Sequence, residues 1–387
     1  MSKTLEDHLA PVRALLPELA ERGAEIEDGR RIPMALVDKL KAAGCFRMAP
    51  PKAVGGEEFD LPSRIEVVET LAAADASTAW TVAINFEAPI ILSRCTQAAF
   101  EAIYANGPDV AASGGAAPTG FADVVEGGYV ASGRWAWGSG SLHADWLMGQ
   151  CVIRQNGEVR QVAPGIPQMR LMVVPKAEAE VLDTWRPGGL AGTGSNDFVF
   201  RELFVPADRT VDYLGGASCL PGSNYRCPPI QGGMHFAGVA LGVARGALND
   251  VVALAKGQKR RMFTAGTMAG SELFQFGLGQ AELSLQAARG LLYQRAREFA
   301  AQAEAIPPGP AQMVHPLSRS CRATAAWVVR RSIEVVDFAY GAAGGSSVPR
   351  SSALQRRFRD IHTLSQHIAV ADSSVAGFGA WLADASA

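Results

Sequence analysis

Apolar residues recur at helical spacing from the start of the chain: Leu5, Leu9, Val12, Leu15, Leu16 and Leu19 fall near i, i+3, i+4 and i+7, and a second set runs from Met34 to Leu40. Further helices are expected from Ser63 and from Pro89, with Pro50, Pro51, Gly55 and Gly56 marking a loop before them. This pattern predicts a helical domain over residues 1–107. From Asp109 the texture changes to short β-branched and aromatic runs set apart by glycines, as in YVASGRWAW, WLMGQCVI, MRLMVV and FVFRELFV. Those are strand and turn signals, and they predict a central β-domain over 108–212. A connection rich in Gly and Pro follows. Beyond His235, long helical stretches at 236–259, 270–302, 316–340 and 352–383 predict a four-helix bundle within a third unit, 213–387.

Composition narrows the classes. At 387 residues with 48% hydrophobic content, the chain can bury two or three sizeable cores. Charged or polar residues interrupt every apolar run before the ~20 residues a membrane helix needs. The N-terminus is amphipathic and of mixed charge rather than leader-like, so a cytoplasmic location is expected. Cysteines 45, 95, 151, 219, 227 and 321 form no CxxC pair, which argues against a disulfide framework or a zinc site. With 36 basic and 38 acidic residues there is no global field for nucleic acid or an anionic membrane, so the expected partner is a small molecule. No HExxH or GxSxG segment is present, so neither a metal nor a hydrolase triad is expected.

Four segments carry candidate chemistry. The run RRFRDIHTLSQHIAV places His367 and Ile368 about two helical turns after Arg359 and Asp360. On one continuous helix Asp360 would share the face of His367, whereas His362 would lie about 140° away. His367 is therefore the candidate for proton chemistry, for which imidazole has a tunable pKa near neutrality. The segment GRWAWGSGSLHADW offers Trp137, Ser139, Gly140 and His143: an aromatic face, a hydroxyl and a glycine permitting close backbone approach to a planar ligand. The segment TWRPGGLAGTGSNDFVF holds Thr193 and Ser195 in a glycine-rich turn; a strand rather than a helix follows it, so it is not a dinucleotide fingerprint. A structural turn and direct ligand contact both remain open there. In AKGQKRRMF, Arg260 and Arg261 suit either a phosphate, through the planar guanidinium fork, or a helix C-terminus.

These motifs, in this order, resemble the acyl-CoA dehydrogenase fold over nearly the whole chain. The class is α+β and mostly α: an N-terminal helical domain, a central β-barrel or sandwich, and a C-terminal four-helix bundle. In the dehydrogenases the Arg-Asp pair is followed by a Tyr-Glu step whose glutamate is the catalytic base; Ile368 stands there in this chain and cannot act as one. A histidine at the place of His367 is similar to the two-component flavin-dependent monooxygenases, among them the oxygenase components of p-hydroxyphenylacetate, hydroxylated secosteroid and indole-acetate hydroxylases. That resemblance implies an oxygenase that takes reduced FMN, or FAD, from a separate NAD(P)H-flavin reductase. It then hydroxylates an aromatic or heteroaromatic molecule with O2 through a flavin C4a-hydroperoxide. It further implies that Trp137 packs on the flavin, that Ser139 bonds its N5, and that Gly140, Thr193 and Ser195 lie beside it. Arg260 and Arg261 would reach the phosphate, Gly344 would pack near a neighbouring subunit's flavin in a homotetramer, and His367 would act at the oxygen-transfer edge. Trp80, Asn85, Phe86 and His143 are the candidates for substrate contact. Two alternatives are a dehydrogenase whose base has moved to Glu282 or Glu334, and a non-catalytic flavin-binding member of the family.

Overall fold

A computed structural model of the protein describes residues 4–213, 215–226, 232–257, 266–305 and 316–385. Six helices open the chain: α1 (Leu5–Glu21), α2 (Gly23–Gly29), α3 (Met34–Ala42), α4 (Leu61–Ala72), α5 (Ala76–Leu92) and α6 (Gln97–Ile103). Side chains that accept the orphan N–H groups of the first turn set several starts. Thr4 and Asp7 form a reciprocal capping box on α1, Asp60 accepts from Ser63 N–H, and Asp75 accepts from Thr78 N–H. The helix expected from Pro89 is instead the last turn of α5, which carries that proline inside it. α5 is buried along almost its whole length, so both faces pack and its apolar residues show little helical contrast.

The central sheet is built from β1 (Ala112–Val125), β2 (Gly128–Gly138), β3 (Trp146–Gln155), β4 (Glu158–Val159), β5 (Gln161–Ala163), β6 (Ile166–Pro167), β7 (Met169–Pro175), β8 (Glu180–Val181), β9 (Asn196–Pro206) and β10 (Thr210–Val211). Eight of them form one sheet in the order β10-β7-β3-β1-β2-β9-β8, with β4 on β3, and β5 and β6 form a separate ribbon. The central β-domain is thus built on one eight-stranded sheet whose ends, β10 and β8, are not paired with each other. It bends around Trp135. That indole is buried, stacks on Phe198 with ring centroids 5.4 Å apart, and donates its N–H to the Gln150 carbonyl at 2.8 Å. Gly115, Gly120, Gly133 and Gly149 surround it, and a Cβ on any of the four would come within 3.0 Å of the Trp135 side chain. These strand glycines make room for a protein side chain.

The C-terminal region contains α7 (Ser223–Arg226), α8 (Gly232–Lys256), α9 (Glu272–Ala303), α10 (Pro316–Ala343), α11 (Ala353–Leu364) and α12 (Ser373–Ala385). The stretch expected as one helix over 352–383 is two, separated by a turn and a short 3-10 segment, Ile368–Val370. The break follows from local hydrogen bonding: the His367 ring accepts from Ala369 N–H, and the Asp372 carbonyl receives Val375 and Ala376 N–H as α12 begins. Asp372-Ser373-Ser374 is a helix-start signature within an otherwise helical pattern. Among the described residues one helix, Gly233–Lys256, is apolar and long enough to cross a membrane, but 67% of its apolar window is buried inside the fold, where it packs into the main core. Cys45, Cys95, Cys151, Cys219 and Cys321 form no disulfide with one another.

Candidate active site

The sheet, α5, α8 and the α11–α12 break meet around Trp80. Its indole stacks on Phe236 of α8, centroids 4.2 Å apart, and both rings meet the His367 imidazole edge-on, at 5.3 Å from Trp80 and 4.7 Å from Phe236. Burial among these rings lowers the His367 pKa to about 4, so the imidazole is neutral at ordinary pH. Because Nδ1 accepts from Ala369 N–H at 3.3 Å, the neutral ring carries its hydrogen on Nε2. His367 therefore offers a donor from its other edge. The face shared with Asp360 that a continuous helix would create does not exist. Asp360 is buried and accepts from Leu190 N–H at 2.6 Å, with burial raising its pKa to about 7. His362 instead pairs with Asp337 at the surface.

On the other side of Trp80 lies a chain of hydroxyls. Trp80 Nε1–H donates to Ser139 Oγ at 3.0 Å, Ser139 Oγ lies 2.7 Å from Ser195 Oγ, and Ser195 Oγ lies 2.6 Å from Thr193 Oγ1. Thr193 Oγ1–H donates to the Leu190 carbonyl at 2.8 Å. Thr193 and Ser195 are buried behind Ser139, so they support that serine and do not line an open surface. Gly140 occupies the left-handed region at φ 74°, and its N–H is taken by the Thr193 carbonyl at 2.8 Å, which ties the two glycine-rich turns together.

Trp137 sits in a register break of β2 with φ 64° and is 74% exposed. Left-handed backbone at a non-glycine residue costs about 1 kcal/mol or more, and here the bulge turns an indole outward next to Ser139. A planar ring system suits that indole and hydroxyl, so the residues present fit a flavin.

Several candidates are placed elsewhere or otherwise occupied. Asn85 is consumed by structure, donating to the Thr81 carbonyl and accepting from Ala112 N–H, both at 2.9 Å. Phe86 is fully buried against the His235 ring and lines no opening. His143 is buried and held neutral: desolvation first, then Lys176, Arg31 and Lys41, lowers its pKa to about 4, and its Nδ1 has no partner. Gly344 is exposed at the end of α10 with φ 56°, and a Cβ added there would meet nothing within 4 Å. Arg260 and Arg261 lie outside the described residues. Glu282 is clamped by Arg245 at 2.7 Å, which holds its carboxyl below the usual range, and Glu334 is an exposed partner of Arg331. Neither carboxylate belongs to the aromatic cluster, so neither is placed as a relocated base. Among the described residues no three His, Cys, Asp or Glu side chains converge as a metal site.

Two features went unnoticed in the sequence. Phe236 is one apolar residue in an apolar helix, and only its stacking on Trp80 marks it. Glu87 and His235 form a buried pair, Oε1 to Nδ1 2.8 Å, two turns along α5 from Trp80. They are 148 residues apart in the chain, so no local spacing could have joined them.

Comparison with known proteins agrees with this architecture. The family profile described as "Acyl-CoA dehydrogenase, N-terminal domain" matches residues 6–102, and "Acyl-CoA dehydrogenase, C-terminal domain" matches residues 234–372. The chain is 30% identical to an indole-3-acetate monooxygenase of Pseudomonas putida, covering 95% of this chain and 92% of that protein. It is 31% identical to the flavin-dependent monooxygenase oxygenase subunit HsaA of Rhodococcus jostii, covering 92% of each. The crystal structure of XiaF from Streptomyces sp., in complex with FADH2 and glycerol, superposes with a TM-score of 0.86 at 25% identity, over 97% of this chain and 95% of that one. Matched by both domain profiles and at least 30% identical to two flavin-dependent monooxygenases over more than nine-tenths of each chain, the chain belongs to the flavin-dependent monooxygenases of the acyl-CoA dehydrogenase fold.

Proposed function

We propose that this protein is the oxygenase component of a two-component system that hydroxylates an aromatic or heteroaromatic small molecule, using reduced FMN in preference to FAD from a separate NAD(P)H reductase. The observation that carries the proposal is the Trp80–Phe236–His367 cluster, an apolar aromatic cluster with one neutral imidazole donor and, among the described residues, no carboxylate in ring contact with it. A flat ring stacks well in such surroundings, whereas a dehydrogenase needs an ionised base there. Relatives named for indole-3-acetate, resorcinol and p-hydroxyphenylacetate support an aromatic substrate, and the names "oxygenase subunit" and "oxygenase component" support an external reductase.

The bound flavin would supply the oxygen-activating chemistry. Ser139 would fix the edge of the ring at N5, and the Trp137 indole would cover its face. His367 would donate from Nε2 to the oxygen being transferred, a role closer to electrostatic stabilisation than to general base catalysis. The aromatic cluster would keep water from that oxygen. The test is to mix the protein anaerobically with reduced FMN or reduced FAD, add O2 with a panel of phenols and indoles, and measure hydroxylated product against released hydrogen peroxide. Product from an aromatic substrate is expected. Release of all oxygen as peroxide with every substrate, together with desaturation of an acyl-CoA, would overturn the proposal.

We read the assembly as a homotetramer. Leu273, Phe276 and Leu283 are 76, 67 and 63% exposed along one side of α9, an apolar stripe that a second copy of the chain would cover. Light scattering is expected to give four times the 40.8 kDa chain mass, falling in a Phe276→Glu/Leu283→Glu variant; a native monomer would refute the assignment.

A further inference from the structure

We infer that the hydroxyl chain Ser139–Ser195–Thr193 has a preferred direction that makes Ser139 a hydrogen-bond acceptor toward its ligand, so that the site selects reduced flavin over oxidised flavin. The inference rests on the proposed placement of Ser139 at flavin N5.

The ends of the chain set its direction. An indole N–H can only donate and a carbonyl can only accept. Trp80 Nε1–H occupies one lone pair of Ser139 Oγ. At the far end the Thr193 hydroxyl gives its single hydrogen to the Leu190 carbonyl. Thr193 Oγ1 must then accept from Ser195, and Ser195 Oγ must accept from Ser139. Every hydroxyl hydrogen is spent inside the chain, which makes four hydrogen bonds in all. Ser139 is left with one lone pair and nothing to donate.

The opposite direction is available but poorer. Leu190 O would keep the Thr193 N–H at 3.1 Å and the Trp185 indole N–H at 3.2 Å, so no group would be orphaned. The chain would nevertheless hold three bonds in place of four, with the Ser139 hydrogen pointing out. Ser139, Ser195 and Thr193 are all buried, so water does not substitute for the missing bond.

Flavin N5 changes role with redox state: it carries a hydrogen when the ring is reduced and bears a bare lone pair when oxidised. A reduced ring adds a fifth bond to the resting chain without disturbing it. An oxidised ring either faces the Ser139 lone pair or forces the whole chain to reverse, which restores only the fourth. One net hydrogen bond separates the two forms, worth a factor of about 5 to 10 in Kd. Ser195 and Thr193 are thus specificity-determining residues that act through Ser139. An oxygenase fed by a separate reductase gains from this arrangement, because spent flavin is released and reduced flavin is retained.

The experiment is anaerobic titration of the intact protein with dithionite-reduced FMN and with oxidised FMN. The quantity read is the ratio of the two Kd values in wild type, Ser139→Ala, Ser195→Ala, Thr193→Val and Thr193→Ser, with near-ultraviolet circular dichroism to confirm folding. Ser195→Ala frees the Ser139 hydrogen, so the preference for reduced FMN is expected to fall by about 5- to 10-fold, chiefly through tighter binding of the oxidised form. Thr193→Val makes the two directions equivalent and is expected to lower the ratio as well, whereas Thr193→Ser keeps it. A wild-type ratio in both Ser195→Ala and Thr193→Val would overturn the direction of the chain while leaving Ser139 at the flavin. If Ser139→Ala alters neither Kd, the placement of Ser139 itself is wrong and the inference falls with it.

Discussion

Replacing His367 with alanine is expected to cut hydroxylated product by about 10²- to 10⁴-fold while reduced flavin is still consumed, the oxygen appearing as hydrogen peroxide. The expectation follows from geometry. His367 is the titratable side chain among the aromatic rings, held edge-on by Trp80 and Phe236 and fixed in one tautomer by Ala369 N–H. His367→Asn tests the donor role, since an asparagine at the same cap can accept from Ala369 N–H and still donate through its amide; part of the activity should return. The pH dependence gives an independent check. Burial lowers the His367 pKa from 6.5 to about 4, so the neutral donor persists as pH falls through 6.5 and is lost only near 4. The product-to-peroxide ratio should therefore be flat between about pH 5.5 and 8. An acid limb centred near 6.5 that disappears in His367→Asn would show that the ring titrates normally and would sink the neutral-donor role.

Trp135→Ala is expected to have the largest effect on stability, a loss of about 3–5 kcal/mol measured by denaturant unfolding. The indole is buried, hydrogen-bonded to Gln150 O at 2.8 Å, and packed on Phe198 and Phe200. Four glycines leave a slot of its shape, and the sheet backbone cannot collapse to fill the cavity left behind. A double-mutant cycle makes the account specific. Gly149→Ala should destabilise the wild type, because its Cβ would lie 2.8 Å from the indole, yet cost little in the Trp135→Ala background. Equal costs in both backgrounds would mean that the glycine serves the strand rather than the indole. The active site would feel the same loss, since β2 carries Trp135 into the bulge that presents Trp137 and Ser139.

Much of the architecture was legible in the chain itself. A change from period near 3.6 to short β-branched runs and back marks the order helices, sheet, helices, because burying one face of each element leaves that imprint. The absence of a glutamate at Ile368 and the presence of His367 were legible for the same local reason: a side chain's chemistry is carried by its identity. The motif GRWAWGSG did not reveal which of its tryptophans is buried: that one is Trp135, and Trp137 is exposed. Strand alternation would have put both on one face; the bulge, which depends on register with β9, changed the orientation of the second.

What the sequence by itself determined, then, is the set of elements and the chemical inventory, since propensity, periodicity and residue type act within a few positions of the chain. Only the tertiary structure decided which of those groups meet and in what electrical state. Periodicity extends α11 through His367, yet the His367 and Asp372 hydrogen bonds break it, and the break sets that ring against Trp80 and Phe236. Ser139, Ser195 and Thr193 are three ordinary hydroxyls in glycine-rich turns until Trp80 donates at one end and Leu190 accepts at the other. The neutrality of His367 and the direction of that hydroxyl chain both arise from burial and from partners brought together across the fold. These are properties of distance in space, which the order of residues along the chain does not record.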